Sequence, residues 1–146
     1  MNTLKQLEVL GQALWYDNIQ RSQLIDGSLK AMIDQGIIKG VTSNPSIFQK
    51  SISTSSIYDE TLKPMAWSGL ESESIFWQLA IEDIQKTADL FHDLYTASGY
   101  SDGFVSLEVS PYYANDTRKT VDQAKLLWQK VSRPNLMIKI PATIDG

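Results

Sequence analysis

Short apolar segments alternate along this chain with amphipathic helical ones, and that alternation restricts its fold more than any other feature. Leu14-Trp15-Tyr16 reads as a strand ending at Asp17, and Ile37 to Thr42 as a second, closed by Ser43-Asn44-Pro45. Phe104 to Val109 and Leu136 to Pro141 read as a third and a fourth. Between the first two, Ser28 to Gln35 carries Leu29, Met32 and Ile33 on one helical face, with Gly36 where a C-cap belongs. Ser46 to Met65 reads as mixed helix bounded by Pro64. Ile75 to Ala97 places Trp77, Ile81, Ile84, Ala88, Phe91 and Tyr95 in steps of three and four, and Gly99 ends it. Asp116 stands as the N-cap of a helix through Val131, with Thr120, Ala124, Leu127 and Val131 inward and Trp128 beside them. The opening MNTLKQLEVL, with leucines at 4, 7 and 10, reads as a short amphipathic helix and lacks a signal-peptide core.

Strands alternating with helices predict βαβ units and a parallel sheet, which needs helices over it. The expected fold is α/β, a (β/α)8 TIM barrel of which residues 1–146 supply about the first four strand-helix units as one incomplete domain. A full barrel takes about 250 residues, and this sequence stops at Ile144-Asp145-Gly146, just past a strand. Truncation or a split gene is therefore expected, with self-association through the uncovered fourth strand. Thirteen basic and seventeen acidic residues are spread along the chain, giving net charge -4 without a basic stripe, so nucleic acid is not an expected partner. No apolar run reaches the roughly 18–20 residues of a membrane span. The absence of cysteine excludes disulfides and thiolate zinc sites and suits a cytoplasmic protein.

Strand side chains alternate in direction, so parity sorts them into two faces. Val105, Leu107 and Val109 share one face of the third segment, and Ser106 and Glu108 the other. Leu136, Ile138 and Ile140 share a face from which Lys139 points away. Asp17 is opposite in parity to Leu14 and Tyr16, and Thr42 and Asn44 are opposite to Val41. One arrangement gathers Asp17, Thr42, Asn44, Glu108 and Lys139 inside a barrel, near the C-terminal strand ends that carry active sites. Taken singly, each has a plainer reading. A lone Lys in an apolar strand also serves as an edge gatekeeper, a Glu as a solvated or ion-paired residue, and Asp17 or Asn44 as a turn residue. The coincidence of five polar groups at successive strand ends is what points to chemistry, and parity alone leaves both readings open. His92, the only histidine, reads as a surface residue, and Glu71 and Glu73 as a solvated helix start. No spacing suggests a metal site, and no glycine-rich phosphate loop is present.

Four motifs then carry a resemblance. Gly11-Gln12-Ala13-Leu14-Trp15-Tyr16-Asp17-Asn18, Gly40-Val41-Thr42-Ser43-Asn44-Pro45-Ser46-Ile47-Phe48, Ser106-Leu107-Glu108-Val109-Ser110-Pro111 and Asn135-Leu136-Met137-Ile138-Lys139-Ile140-Pro141-Ala142-Thr143 together resemble the transaldolase family. They are most similar to its longer bacterial branch, which includes fusions to a sugar-phosphate isomerase. The likeness runs from about Leu10 to Gly146 and corresponds to the N-terminal half.

The resemblance implies reversible transfer of a dihydroxyacetone unit between sugar phosphates in the pentose phosphate pathway. The donors would be sedoheptulose 7-phosphate or fructose 6-phosphate, and the acceptors glyceraldehyde 3-phosphate or erythrose 4-phosphate. Lys139 matches the lysine that forms the Schiff base, Glu108 the carboxylate that relays protons through water, and Asp17 the acid/base of carbon–carbon cleavage. Asn44 and Thr42 match positions that bind or orient the dihydroxyacetone moiety. The imine is the electron sink, so no cofactor or metal is implied. An amine attacks only when neutral, a form that burial among Met137, Ile138 and Ile140 would favour and a nearby Glu108 would oppose. Later strands of the family bring a water-holding threonine and a phosphate-binding serine and arginine, so little activity is expected of these residues alone. The alternatives are another Schiff-base aldolase, which releases its product free, and a non-catalytic half-barrel that pairs with another half.

Overall fold

A computed structural model describes residues 3–146. Four parallel strands, β1 (Trp15–Asp17), β2 (Gly40–Thr42), β3 (Phe104–Glu108) and β4 (Leu136–Lys139), lie side by side in chain order. They alternate with helices α1 (Thr3–Val9), α2 (Arg21–Ile25), α3 (Ser28–Asp34), α4 (Pro45–Thr54), α5 (Asp59–Trp67), α6 (Ser72–Ala97) and α7 (Thr117–Val131). This is the α/β architecture that the alternation predicts, consistent with the first units of a TIM barrel. The sheet is open, with β1 at one edge and β4 at the other.

The apolar parity set forms the core. Val41, Val105, Leu107 and Leu136 are at most 3% exposed and pack with Leu29 of α3, Ile84, Ala88 and Phe91 of α6, and Leu127 and Val131 of α7. Burying such side chains contributes about 1.5–3 kcal/mol each, which fixes which face of the sheet meets the helices. Asn135 fastens that layer from below β4, its amide nitrogen donating to the carbonyls of Ala88 and Gly103 at 2.9 Å each. On the opposite face, the ring of Trp15 lies over Gly40. A Cβ at that glycine would stand 2.7 Å from the indole and 2.9 Å from the Phe104 carbonyl oxygen, so only glycine lets β1, β2 and β3 sit this closely.

Most expected elements appear, several trimmed at their ends, whereas the helix expected from Ile75 begins at Ser72. The third and fourth strands stop at Glu108 and Lys139, and the second begins at Gly40, the partner of Trp15 in the register with β1. The opening helix is α1, with Met1 and Asn2 outside the described residues, and its Val9 is 76% exposed. The Asp116 cap is present, with its carboxylate accepting from the Lys119 amide at 3.0 Å.

Three features differ. The mixed helix of residues 46–65 is two helices, because Ser55 turns extended (φ −126°, ψ 126°) and caps a short 3-10 turn at Ser56–Tyr58. Pro64 lies inside α5 and does not bound it. The hydrogen bond that it forfeits is to the carbonyl of Glu60, an exposed residue at the start of the helix. Finally, α2 is a five-residue helix that no periodicity marks. Among the described residues, no helix is long and apolar enough to cross a membrane.

Candidate active site

Register brings the strand-end residues together in two couples. Asp17 pairs with Thr42 across β1 and β2, and the Thr42 hydroxyl donates to Asp17 Oδ1 at 2.5 Å. Glu108 pairs with Lys139 across β3 and β4, and Lys139 Nζ stands 2.9 Å from Glu108 Oε2. Val41 pairs with Val105, so Thr42 lies one step beyond on the same face as Ser106. Glu108 is two residues further along that face. Period-two alternation therefore places both couples opposite the helix-packed core, at the C-terminal ends of the strands.

Asn44 also lies at the end of β2. There its Oδ1 accepts from the Ile47 amide at 3.0 Å and caps α4, so the turn role open to it from sequence is one that it fills. Ser106 joins the same face, is 4% exposed, and its hydroxyl has no hydrogen-bond partner among the described residues. Parity assigns Ser106 to that face, but only the fold reveals that a buried hydroxyl is left unsatisfied there. Next to it, the Ser43 hydroxyl donates to the Ser106 carbonyl at 2.7 Å, tying the end of β2 to β3.

The residues beside Lys139 are partly open. Met137 is 41% exposed and Ile140 40% exposed, and the Lys139 side chain is itself 40% exposed. His92 is exposed, as expected of a surface residue.

Sequence reasoning missed a buried ionic cluster just beyond β1. Arg21, 4% exposed at the start of α2, donates from Nε to Asp83 Oδ1 at 2.7 Å and from Nη2 to Glu82 Oε2 at 2.8 Å. Its guanidinium stacks on the Tyr58 ring, 4.4 Å from the centroid. The Tyr58 hydroxyl donates to Asp83 Oδ2 at 2.7 Å and lies 3.0 Å from Ser51 Oγ. Burial works against the guanidinium charge, but Asp83 and Glu82 outweigh it and hold Arg21 above its ordinary pKa. Burial pushes the Tyr58 phenol up to about 12, against the pull of the Ser51 hydrogen bond. No local pattern joins Arg21 to Asp83. The one hint is that an arginine and an aspartate occupy positions that the fold must bury.

Chemically, the face offers an amine beside a carboxylate, and separately a carboxylate held by a hydroxyl. The first can form an imine with a carbonyl while a proton is moved; the second can take a proton from a substrate hydroxyl. Known proteins point the same way. The profile of the transaldolase/fructose-6-phosphate aldolase family matches residues 14–146. The chain is 45% identical over 146 residues to a transaldolase of Thiobacillus denitrificans, with 100% of this chain and 41% of that protein covered. It is 42% identical over 145 residues to a transaldolase of Frankia alni, covering 99% of this chain and 39% of the relative. A transaldolase of Thermobifida fusca is 45% identical over 143 residues, covering 98% and 39%. The chain thus spans about 40% of the length of the curated relatives it matches.

Proposed function

This chain belongs to the transaldolase/fructose-6-phosphate aldolase family, and from that membership we propose that the whole protein is a transaldolase. It moves a dihydroxyacetone unit from a ketose phosphate to an aldose phosphate, a reaction of the pentose phosphate pathway carried out in the cytoplasm. The observation that carries the reading is the Lys139–Glu108 couple, 2.9 Å apart at matched strand ends on the face away from the core. Relatives that are themselves named transaldolase support transfer over release of free dihydroxyacetone.

Each step balances on residues of this chain. Glu108 takes a proton from the Lys139 ammonium, and the neutral amine adds to the ketose carbonyl. The carbinolamine loses water, with the proton delivered by Glu108 through a water molecule, and an iminium forms. Asp17 accepts the proton of the hydroxyl on the β-carbon. The bond between the α- and β-carbons breaks, an aldose phosphate leaves as the aldehyde, and the electron pair passes into the iminium to give an enamine. The acceptor aldehyde bonds to the same α-carbon and its oxygen takes the proton back from Asp17. Hydrolysis then frees the new ketose and Lys139. Thr42 holds the Asp17 carboxylate, and Asn44 sits where it can orient the dihydroxyacetone moiety. A preorganised donor or base of this kind contributes about 10²–10⁴-fold in rate.

The test is chemical trapping. The whole protein incubated with fructose 6-phosphate and borohydride should yield a stable secondary amine, and peptide mapping should find it on Lys139. Lys139→Arg keeps the charge but cannot form the imine, so adduct and turnover should both vanish while the fold survives. Labelling at Lys125 or Lys130, or substantial turnover by Lys139→Arg, overturns the mechanism. Dihydroxyacetone released without an aldose acceptor would instead assign the aldolase reaction.

A further inference from the structure

Of the two couples, that of Asp17 is the less firmly held by the sheet. It ends β1, a strand of three residues whose pairing with β2 closes at Asp17–Thr42, and Asp17 is exposed. Glu108 and Lys139 instead close a four-pair register between β3 and β4. The segment leaving Asp17 is, by contrast, tightly constrained. Asn18 donates to the Tyr16 hydroxyl at 3.0 Å, Ile19 is 1% exposed in the core, and Arg21 is clamped four residues on.

The clamp reaches three other parts of the fold. Arg21 meets Asp83, Glu82 and the Leu79 carbonyl (3.5 Å) of α6, and stacks on Tyr58 in the turn before α5. Tyr58 in turn holds Asp83 and meets Ser51 of α4. A buried ion pair of this kind is a poor stabilising device, because desolvation offsets most of the attraction and an apolar set of equal volume does as well. A planar guanidinium fork bonded at its edge and stacked on its face is, however, a good geometric one, since it fixes both direction and plane. Four residues extend at most about 14 Å, so the clamp sits within one short segment of the Asp17 carboxylate.

We propose that Arg21, fixed by Asp83, Glu82 and Tyr58, is a positioning residue that aims Asp17 for the carbon–carbon cleavage step. The inference rests on the role given to Asp17 above. It assigns the clamp to one half of the chemistry: cleavage depends on it, whereas imine formation, which uses the separate β3–β4 couple, does not. A purely structural cluster would scale both halves together with the folded fraction.

Borohydride quenching separates the halves. In the whole protein reacting with fructose 6-phosphate, mass analysis of the Lys139 peptide distinguishes the intact-ketose adduct from the three-carbon adduct left after cleavage. Arg21→Met and Tyr58→Phe should keep total Lys139 labelling within about twofold of wild type, shift it to the intact ketose, and lower kcat by about tenfold or more with KM little changed. Arg21→Lys, which keeps the charge without the fork, should recover only part of the loss. Asp17→Asn should show the same accumulation in more severe form. If Asp17→Asn still gives the three-carbon adduct, the Asp17 role itself is wrong and this inference falls with it. If Asp17→Asn accumulates the ketose adduct while both clamp variants retain the wild-type ratio, or lose both adducts in proportion to folded protein, the clamp does not position Asp17. Should Arg21→Met fail to fold, Tyr58→Phe, which keeps the ring under the guanidinium, decides between these outcomes.

Discussion

Raising the pH should dissect the clamp through Tyr58. Its ring is 1% exposed and its hydroxyl points at Asp83 Oδ2 from 2.7 Å. A phenolate there would lose water and face a carboxylate, and burial together with that charge lifts the group to about 12 from 10.0, despite the Ser51 hydrogen bond. The folded value lies above the unfolded one. The contribution is therefore complete below about pH 10 and is lost as pH rises through about 12. A shift of about two units corresponds to roughly 3 kcal/mol at most, a large part of a domain's marginal stability. Urea unfolding of the whole protein and of Tyr58→Phe, tracked across this range, isolates the effect because lysine titration is common to both. Below pH 10, wild type should be the more stable by about 1–3 kcal/mol, the worth of a hydrogen bond to a charged group plus that to Ser51. That advantage should then shrink by about 2 kcal/mol toward pH 12. The phenolate absorbance difference between the two proteins should rise in the same interval. A stability difference that stays flat to pH 12, or a Tyr58 that ionises near 10 in the folded protein, would refute the burial argument.

The sheet and its caps carry two more expected outcomes. Leu107→Ala, on the core face and 2% exposed, should cost about 2–5 kcal/mol in denaturant unfolding. A cost below about 1 kcal/mol would mean that the two faces are misassigned. Asp116 is held below the usual carboxylate range, first by the Lys119 amide it accepts from. Its capping contribution is thus present above about pH 4 and lost as pH falls through the lower folded value. Circular dichroism should show wild type losing helix in that acid range more steeply than Asp116→Asn, which keeps an oxygen cap but does not titrate.

The parity of the strands is readable because period two is a local property. Val105 and Leu107 have to share a face whatever lies beyond them, and Glu108 has to leave it, so the Glu108–Lys139 encounter needs only correct parallel register. The long helix α6 and the Asp116 cap are equally local. The features that escape depend on distant chain. Arg21 and Asp83 lie 62 residues apart, and nothing near either announces the other. α2 carries too few residues for a period to show, and the Ser55 break is one extended residue between two helical runs. Pro64 defeats a reading from sequence because a proline's cost depends on whether the orphaned carbonyl meets water, which composition does not reveal.

Strands laid down in chain order have a consequence for when the site comes into being. Asp17 and Thr42 are joined over 25 residues, and Glu108 and Lys139 also come from consecutive strands. The contacts that join one couple's half of the sheet to the other's, Arg21 to Asp83 and Ser43 to Ser106, close loops of 62 and 63 residues. Loop closure over the longer span costs only about 1 kcal/mol more, but that span holds α4, α5 and part of α6. Each couple can therefore form early and separately, on either side of a joint that sets last. A half-folded molecule with both couples made would still be chemically silent, because the proposed transfer needs them at a fixed separation. Within these residues, the two couples reach that separation only through the long-range joint.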